Sequence, residues 1–236
     1  MSSRVIDNIG ELVTCDPGAG DGPLGILRNV ALVIVDGIVA AIEPAGSAIA
    51  DERIDAEGAC VMPAFVDSHT HLVFAGDRAN EFVARMAGQP YEAGGIRVTT
   101  DATRQSSTDE LRILTNRRRD EARRHGIGHL EMKSGYGLDV DTEQRCCALA
   151  AEFTDDITFL GAHVVPAEFA GRADDYVDLV CGPMLQACCE QARWIDVFCE
   201  RGAFDVDQSR AVLTAGRQRG LGLRVHANQL GHGPGV

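Results

Sequence analysis

The sequence has little that would suit a nucleic-acid surface or a membrane span. Its 236 residues include 35 acidic and only 22 basic ones, and the resulting net charge of -13 excludes an electrostatic nucleic-acid binder. The longest unbroken apolar run, residues 30–35, is far shorter than the roughly 20 residues that a membrane helix needs. The N-terminus lacks a basic stretch followed by an apolar one, so we expect a cytoplasmic protein without a membrane partner.

The sequence also has a single lysine and no pair of cysteines at the spacing of a metal site. Lys133 is the only lysine among the 22 basic residues, which is either chance or the sign of a site-lining role. None of the eight cysteines has the C-x-x-C spacing of a zinc or redox motif, and two adjacent pairs lie in apolar surroundings. We therefore expect reduced cysteines in the core. At 45% hydrophobic and 24% charged, the composition is that of a soluble globular protein.

The first part of the chain predicts a small β domain. Strands are expected at residues 29–35 and 38–42, because Asp36-Gly37 between them is a strong hairpin signal. We interpret residues 1–60 as a small β-sandwich segment. From residue 61 the pattern changes to alternating strands and helices, and we assign residues 61–236 to a second domain.

The second domain contains five nearly continuous apolar runs of the kind that a parallel sheet buries on both faces. These runs are residues 61–67, 127–133, 157–162, 195–200 and 221–227. Of the helices between them, one begins with a capping box from Ser107 to Glu110, and another begins near Asp207. The pattern predicts an α/β fold, a (β/α)8 TIM barrel of which about five βα units are present, since a closed barrel needs eight strands. An open doubly wound sheet fits the length but not the N-terminal β segment.

Histidines mark the ends of these strands. In His69-Thr70-His71 both imidazoles lie on the same side of the strand, because side chains alternate, and at the end where barrel enzymes build their sites. That geometry suits two ligands of one metal ion, although two polar residues at a strand end are an alternative reading. His163 follows the third strand and His226 closes the fifth, so four of the seven histidines lie at such ends.

These motifs resemble those of the metal-dependent amidohydrolases, in which Pro-x-Phe-Val-Asp-x-His-Thr-His follows a small β domain. Within that superfamily the segments 69–78, 133–138, 161–163 and 196–200 are similar to the imidazolonepropionase family. The resemblance implies a hydrolase that acts on a small molecule. It would cleave the cyclic amide C–N bond of 4-imidazolone-5-propionate to give N-formimino-L-glutamate in histidine degradation. It also allows a homodimer.

The resemblance implies a role for each matching residue. One divalent metal ion, zinc or iron, would be bound by His69, His71 and His226. Arg78 would hold the propionate carboxylate of the substrate through two charge-assisted hydrogen bonds. Tyr136 and His163 would contact the imidazolone ring, and His163 would also take part in catalysis.

The chain departs from the family pattern at two places. The family usually reads His-Ala-Asp-Glu after the fifth strand, where this chain has His226-Ala227-Asn228-Gln229. Because an amide cannot act as a general base, we expect Gln229, the catalytic candidate at this position, to orient water or substrate. The family's remaining ligand, an Asp at the end of strand eight, and a His after strand six would lie beyond Val236. Full activity is therefore not expected of these 236 residues alone.

Three other readings stay open. The first is another cyclic amidase or an aminohydrolase, against which Arg78 and the Lys-Ser-Gly-Tyr-Gly segment argue. The second is a catalytically silent fragment that binds metal or a partner through its unclosed barrel edge, since unpaired strands seek partners. The third, and most remote, is a hydrolase with a nucleophilic cysteine, which would require that replacing all eight cysteines abolishes turnover.

Overall fold

The computed structural model describes residues 2–77, 83, 86, 96–233 and 235. The chain divides into two compact units, Met1–Ala64 and Phe65–Val236. The strands of the first unit are β1 (Ser3–Val13), β2 (Ile26–Val35), β3 (Ile38–Pro44), β4 (Glu52–Asp55) and β5 (Cys60–Val61). They form one five-stranded sheet, in which β1 pairs antiparallel with β2 and parallel with both β4 and β5, and β2 pairs antiparallel with β3.

The turn between β2 and β3 is the one predicted from the sequence. Asp36 and Gly37 have φ angles of 48° and 82°, and positive φ at both central residues is the signature of the tight hairpin turn. A small core of Val5, Ala31 and Ala48 lies against this sheet. The β-sandwich expected for residues 1–60 stays a prediction, since the described residues of this unit form the single sheet.

The second unit alternates parallel strands with helices. Its strands are β6 (Phe65–Asp67), β7 (Ile127–Leu130), β8 (Met132–Lys133), β9 (Ile157–Ala162), β10 (Trp194–Cys199), β11 (Gly222–Leu223) and β12 (His226–Ala227). Its helices are α1 (Ile96–Gln105), α2 (Thr108–Arg124), α3 (Val140–Ala150), α4 (Ala173–Leu179), α5 (Leu185–Cys188) and α6 (Val206–Gln218). A 3-10 turn, Ala167–Phe169, precedes α4, and a π-helical turn, Val180–Met184, joins α4 to α5.

Every strand pairing among the described residues of this unit is parallel. The neighbours are β6 with β7, β8 with β9, β9 with β10, and β10 with both β11 and β12. Between β7 and β8 the Glu131 amide donates to the Asp67 carbonyl at 2.8 Å. We therefore treat β7 and β8 as two parts of the same strand of the barrel. The predicted succession of parallel βα units is thus confirmed. In the described part of the chain β12 does not pair with β6. The strands therefore form an incomplete barrel.

One predicted strand was wrong. The strand expected at residues 61–67 is split: Val61 pairs with β1 in the first unit, while β6 begins at Phe65 in the second. Pro63 lies in the break and has no N–H to give to a ladder. The helix expected to begin near Asp207 is confirmed: it begins at Val206, and Asp205 is its N-cap and forms a capping box with Gln208. The capping box predicted at Ser107 is confirmed.

The core of the second unit lies between the strands and the helices that follow them. It includes Phe159 of β9, Met184 of the π-helical turn and Val212 of α6, all fully buried. All eight cysteines are free: Cys146, Cys147, Cys188 and Cys199 are buried as expected, Cys181 and Cys189 are half-buried, but Cys15 and Cys60 are exposed. No helix in the described part of the chain has the length and apolar character to cross a membrane.

Candidate metal centre

Three histidines converge at the C-terminal ends of the parallel strands. His69 and His71 follow β6, and His226 follows β11 in the short strand β12, which pairs with the same neighbour, β10. Their ligand nitrogens all lie within 4.8 Å of one another, and His69 Nε2 is 2.9 Å from His226 Nε2. The strands end at one edge of the sheet, so residues 157 positions apart in the chain meet there.

These imidazoles are suited to metal binding. His71 Nδ1 is buried and has no hydrogen-bond partner among the described residues, so no protein contact there competes with a metal ion. Burial, followed by the charges of the neighbouring histidines, holds the pKa of His71 well below its usual value, and burial and His226 lower the pKa of His69. A histidine must be neutral to bind a metal ion, and both shifts favour the neutral form.

A buried layer of charge lies beneath the histidines. Lys133 Nζ is 2.7 Å from Glu131 Oε1 and 3.0 Å from Asp196 Oδ2, and all three side chains are at most 1% exposed. Asp196 Oδ2 in turn lies 2.9 Å from His226 Nδ1. Although burial raises the pKa of Asp196, the contacts with His226 and Lys133 lower it to about 2. Lys133 therefore neutralises buried carboxylates, and it does not line the cavity described next.

The same layer fixes the His-Thr-His segment. The Thr70 amide donates to Glu131 Oε2 at 3.0 Å, and the Lys133 amide donates to the Thr70 carbonyl at 3.0 Å. Moving the Thr70 amide away would leave a buried carboxylate oxygen of Glu131 without a hydrogen bond, which costs free energy. The Glu131 carboxylate therefore holds the backbone of the His-Thr-His segment in one conformation. Sequence reasoning assigned no role to Glu131 or Asp196, although Asp196 begins the segment 196–200 that carries the resemblance. The local signal of both is an acidic residue inside an apolar strand run.

A cavity of about 260 Å³ opens over the histidine cluster. Its walls are His69, His71, Tyr136, His163, Phe198, His226 and Gln229. The structure therefore brings together six of the seven residues selected from the sequence, and Arg78 lies outside the described residues. Phe198 was not selected; it lies on β10 two residues after Asp196, and the period of two puts both on the same face of the strand.

Tyr136 and His163 form the wall beside His71. The His163 ring stacks on that of His71 with centroids 5.3 Å apart, and Tyr136 lies 5.3 Å from His163 and 5.7 Å from His71. His163 Nδ1 is 2.8 Å from the Gly135 carbonyl oxygen. A carbonyl only accepts, so Nδ1 carries the proton and donates to it.

Comparison with known proteins gives the family likeness. No protein-family model matches the chain. The imidazolonepropionase of Salinispora arenicola is 64% identical over 237 residues, which cover 100% of this chain and 60% of that protein. The chain is a homologue of the imidazolonepropionases. The enzyme of that name from Mycolicibacterium smegmatis is 59% identical with the same coverage. The resemblance read from the sequence is thereby confirmed, and the chain spans about 60% of the length of these curated relatives.

Solved structures show the likeness in fold. The 5-methylcytosine deaminase of Klebsiella pneumoniae superposes with a TM-score of 0.64 at 20% identity, over 95% of this chain and 51% of that one. Atrazine chlorohydrolase TrzN from Arthrobacter aurescens TC1, solved in complex with zinc, gives 0.53 at 15% identity, over 94% and 52%. The described fold thus corresponds to about half of each of these larger chains.

Proposed function

We propose that this chain carries the metal-binding and part of the substrate-binding site of an imidazolonepropionase, a hydrolase that opens the ring of 4-imidazolone-5-propionate to N-formimino-L-glutamate. The observation that carries the proposal is the histidine cluster at the floor of the cavity. The identity of 64% to an imidazolonepropionase supports the choice of substrate. The substrate is a small molecule, and a cavity of about 260 Å³ suits one.

The cofactor in this proposal is one divalent ion, zinc or iron, held by His69, His71 and His226. Three neutral imidazoles are a common ligand set for a catalytic ion. When bound, such an ion activates water at neutral pH and polarises a carbonyl. Asp196 lies beside His226 Nδ1, as carboxylates do for many histidine ligands, so His226 would hold the ion through Nε2.

The chain's own residues would orient the substrate. With Nδ1 donating to the Gly135 carbonyl, His163 in its neutral form would accept a hydrogen bond, or a proton, from a ring N–H of the substrate at Nε2. Tyr136, beside it, offers a hydroxyl to the imidazolone ring. We propose that Arg78 engages the propionate through its two parallel N–H groups.

Gln229 completes the proposed set. Its backbone amide donates to Glu200 Oε1 at 2.5 Å, which holds the segment after β12 against the cavity. An amide side chain cannot take a proton from water, but it orients water or substrate through its carbonyl and NH2 groups. Gln229 would therefore support binding of the substrate, but it would not accept a proton from water as a carboxylate at this position would.

The test is the rate at which the purified, metal-loaded protein removes the ultraviolet absorbance of 4-imidazolone-5-propionate. Loss of absorbance that ends when His163→Gln replaces the cavity histidine supports the proposal. Binding of that substrate with the same affinity by wild type and by Tyr136→Phe, His163→Gln and Arg78→Lys contradicts the assigned roles. A cyclic amide or an amino-substituted ring without the propionate serves as the comparison substrate. If it is turned over faster, the alternative amidohydrolase reading replaces this one.

A further inference from the structure

A buried carboxylate outside the cavity organises the loop that carries one wall of it. Glu143 lies in the first turns of α3, is 0% exposed and accepts from three backbone N–H groups. Its Oε2 is 2.9 Å from the Gly135 nitrogen, and its Oε1 is 2.7 Å from the Gly137 nitrogen and 2.9 Å from that of Leu138. Three N–H donors on one carboxylate fix the backbone of the loop over residues 135–138.

That loop presents both residues of the wall. Tyr136 lies between two of the three amides that Glu143 holds. The Gly135 carbonyl accepts from His163 Nδ1 at 2.8 Å, so the loop also fixes the His163 ring and its tautomer. Gly135 has φ of 107°, and a Cβ there would lie 3.0 Å from His163 Nδ1, which shows how closely the loop approaches that ring.

We propose that Glu143 is a positioning residue for the cavity wall of Tyr136 and His163. By holding the backbone of residues 135–138 it keeps the Gly135 carbonyl on His163 Nδ1 and the Tyr136 ring against His71. The wall would then recognise a planar heterocycle with a ring N–H that faces His163 Nε2. Only the identity of that heterocycle rests on the proposed function; the positioning does not.

A purely structural role for Glu143 would be to stabilise the start of α3. That role already belongs to Asp139, the N-cap, whose side chain accepts from the Thr142 amide at 2.8 Å. Glu143 directs its oxygens to the loop before the helix instead, where it accepts from the Gly135 and Gly137 amides on either side of the cavity residue Tyr136. Loss of Glu143 should therefore change His163 as well as the stability of the protein.

Nuclear magnetic resonance of the chain labelled with ¹³C and ¹⁵N histidine tests this directly. In wild type, His163 should show the tautomer protonated at Nδ1, with its signal assigned from His163→Gln. In Glu143→Ala we expect this signal to move toward the Nε2–H tautomer or to broaden. Glu143→Gln keeps one oxygen for Gly137 and Leu138, so we expect a smaller shift; it also serves if the alanine variant does not fold.

The matched control is Ser107→Ala, which removes the N-cap of α2 and lowers stability without touching the loop. A His163 signal that is unchanged in both Glu143 variants, or that moves equally in Ser107→Ala, overturns the proposal. The second measurement is the Kd for 4-imidazolone-5-propionate with zinc content monitored. We expect a rise of tenfold or more in Glu143→Ala, at unchanged zinc content, and no rise in Ser107→Ala.

The two measurements separate this inference from the proposed function. If the tautomer changes in Glu143→Ala while even wild type does not bind the imidazolone, the assigned substrate is wrong and the positioning role stands. If wild type binds or turns over the imidazolone and Glu143→Ala does so equally well, the positioning role is wrong and the function stands.

Discussion

Lys133 offers the sharpest test of the buried charge layer. Its ammonium group lies between Glu131 and Asp196, with each side chain at most 1% exposed. Lys133→Met keeps the length of the side chain and removes the charge, so two carboxylates lose a buried cation. Breaking a buried pair by removing one partner costs about 3–5 kcal/mol, because an uncompensated charge stays behind. Arg224, at 2.8 Å from Glu131, compensates part of that loss, so we expect about 3 kcal/mol.

The assay is urea unfolding followed by fluorescence of Trp194, the single tryptophan of the chain, which lies on β10 in the same unit. The matched control is Arg112→Met, which removes ion pairs to Asp109 and Glu152 from a side chain that is 40% exposed. Exposed pairs contribute about 0–1 kcal/mol, so the control should lose little. Equal losses in the two variants would show that the Lys133 layer does not carry the stability ascribed to it.

Two further predictions concern packing and pH. Gly216→Ala should lower the free energy of unfolding by about 1–3 kcal/mol, since a Cβ there lies 2.2 Å from Ile195 Cγ2, whereas Gly182→Ala meets open space and should cost much less in the same urea assay. Asp7 accepts from the Gly46 and Asn8 amides and pairs with Arg53, which lowers the pKa of its carboxyl. A lowered pKa stabilises the fold above the unfolded-state value near 3.8. Asp7→Asn should therefore destabilise the fold at pH 7, and the difference from wild type should shrink as pH falls through the folded pKa, measured by circular dichroism; a constant difference refutes it.

The repeat of parallel strands could be predicted because each buried strand is an apolar run with its own local signal. The run at 157–162 matches β9 at both ends, and its residues are all buried. The strand predicted at 61–67 failed where pairing is decided by distant partners: Val61 pairs with Leu12 and Phe65 with Ile127. An apolar run predicts a buried strand, but it does not indicate which sheet that strand joins.

The histidines of the candidate site were predictable for a similar reason. Period-two alternation puts His69 and His71 on one face, and strand ends in such a sheet converge. The residues that hold the site in place were not predictable. The contact of Lys133 with Asp196 joins positions in different strands, and Glu143 acts on a loop through amides that every sequence contains. Such interactions depend on the folded chain and leave no local pattern.

The central claim is that His69, His71 and His226 together hold one metal ion. The most direct measurement is the zinc content of the purified chain after dialysis against zinc-free buffer, by inductively coupled plasma mass spectrometry. Wild type should retain about one zinc per chain, and His71→Ala should lose it. The control His129→Ala replaces an exposed histidine on β7 outside the cluster and should retain the ion. Wild type without stoichiometric zinc or iron, or His71→Ala that retains it as fully as His129→Ala, would contradict the account.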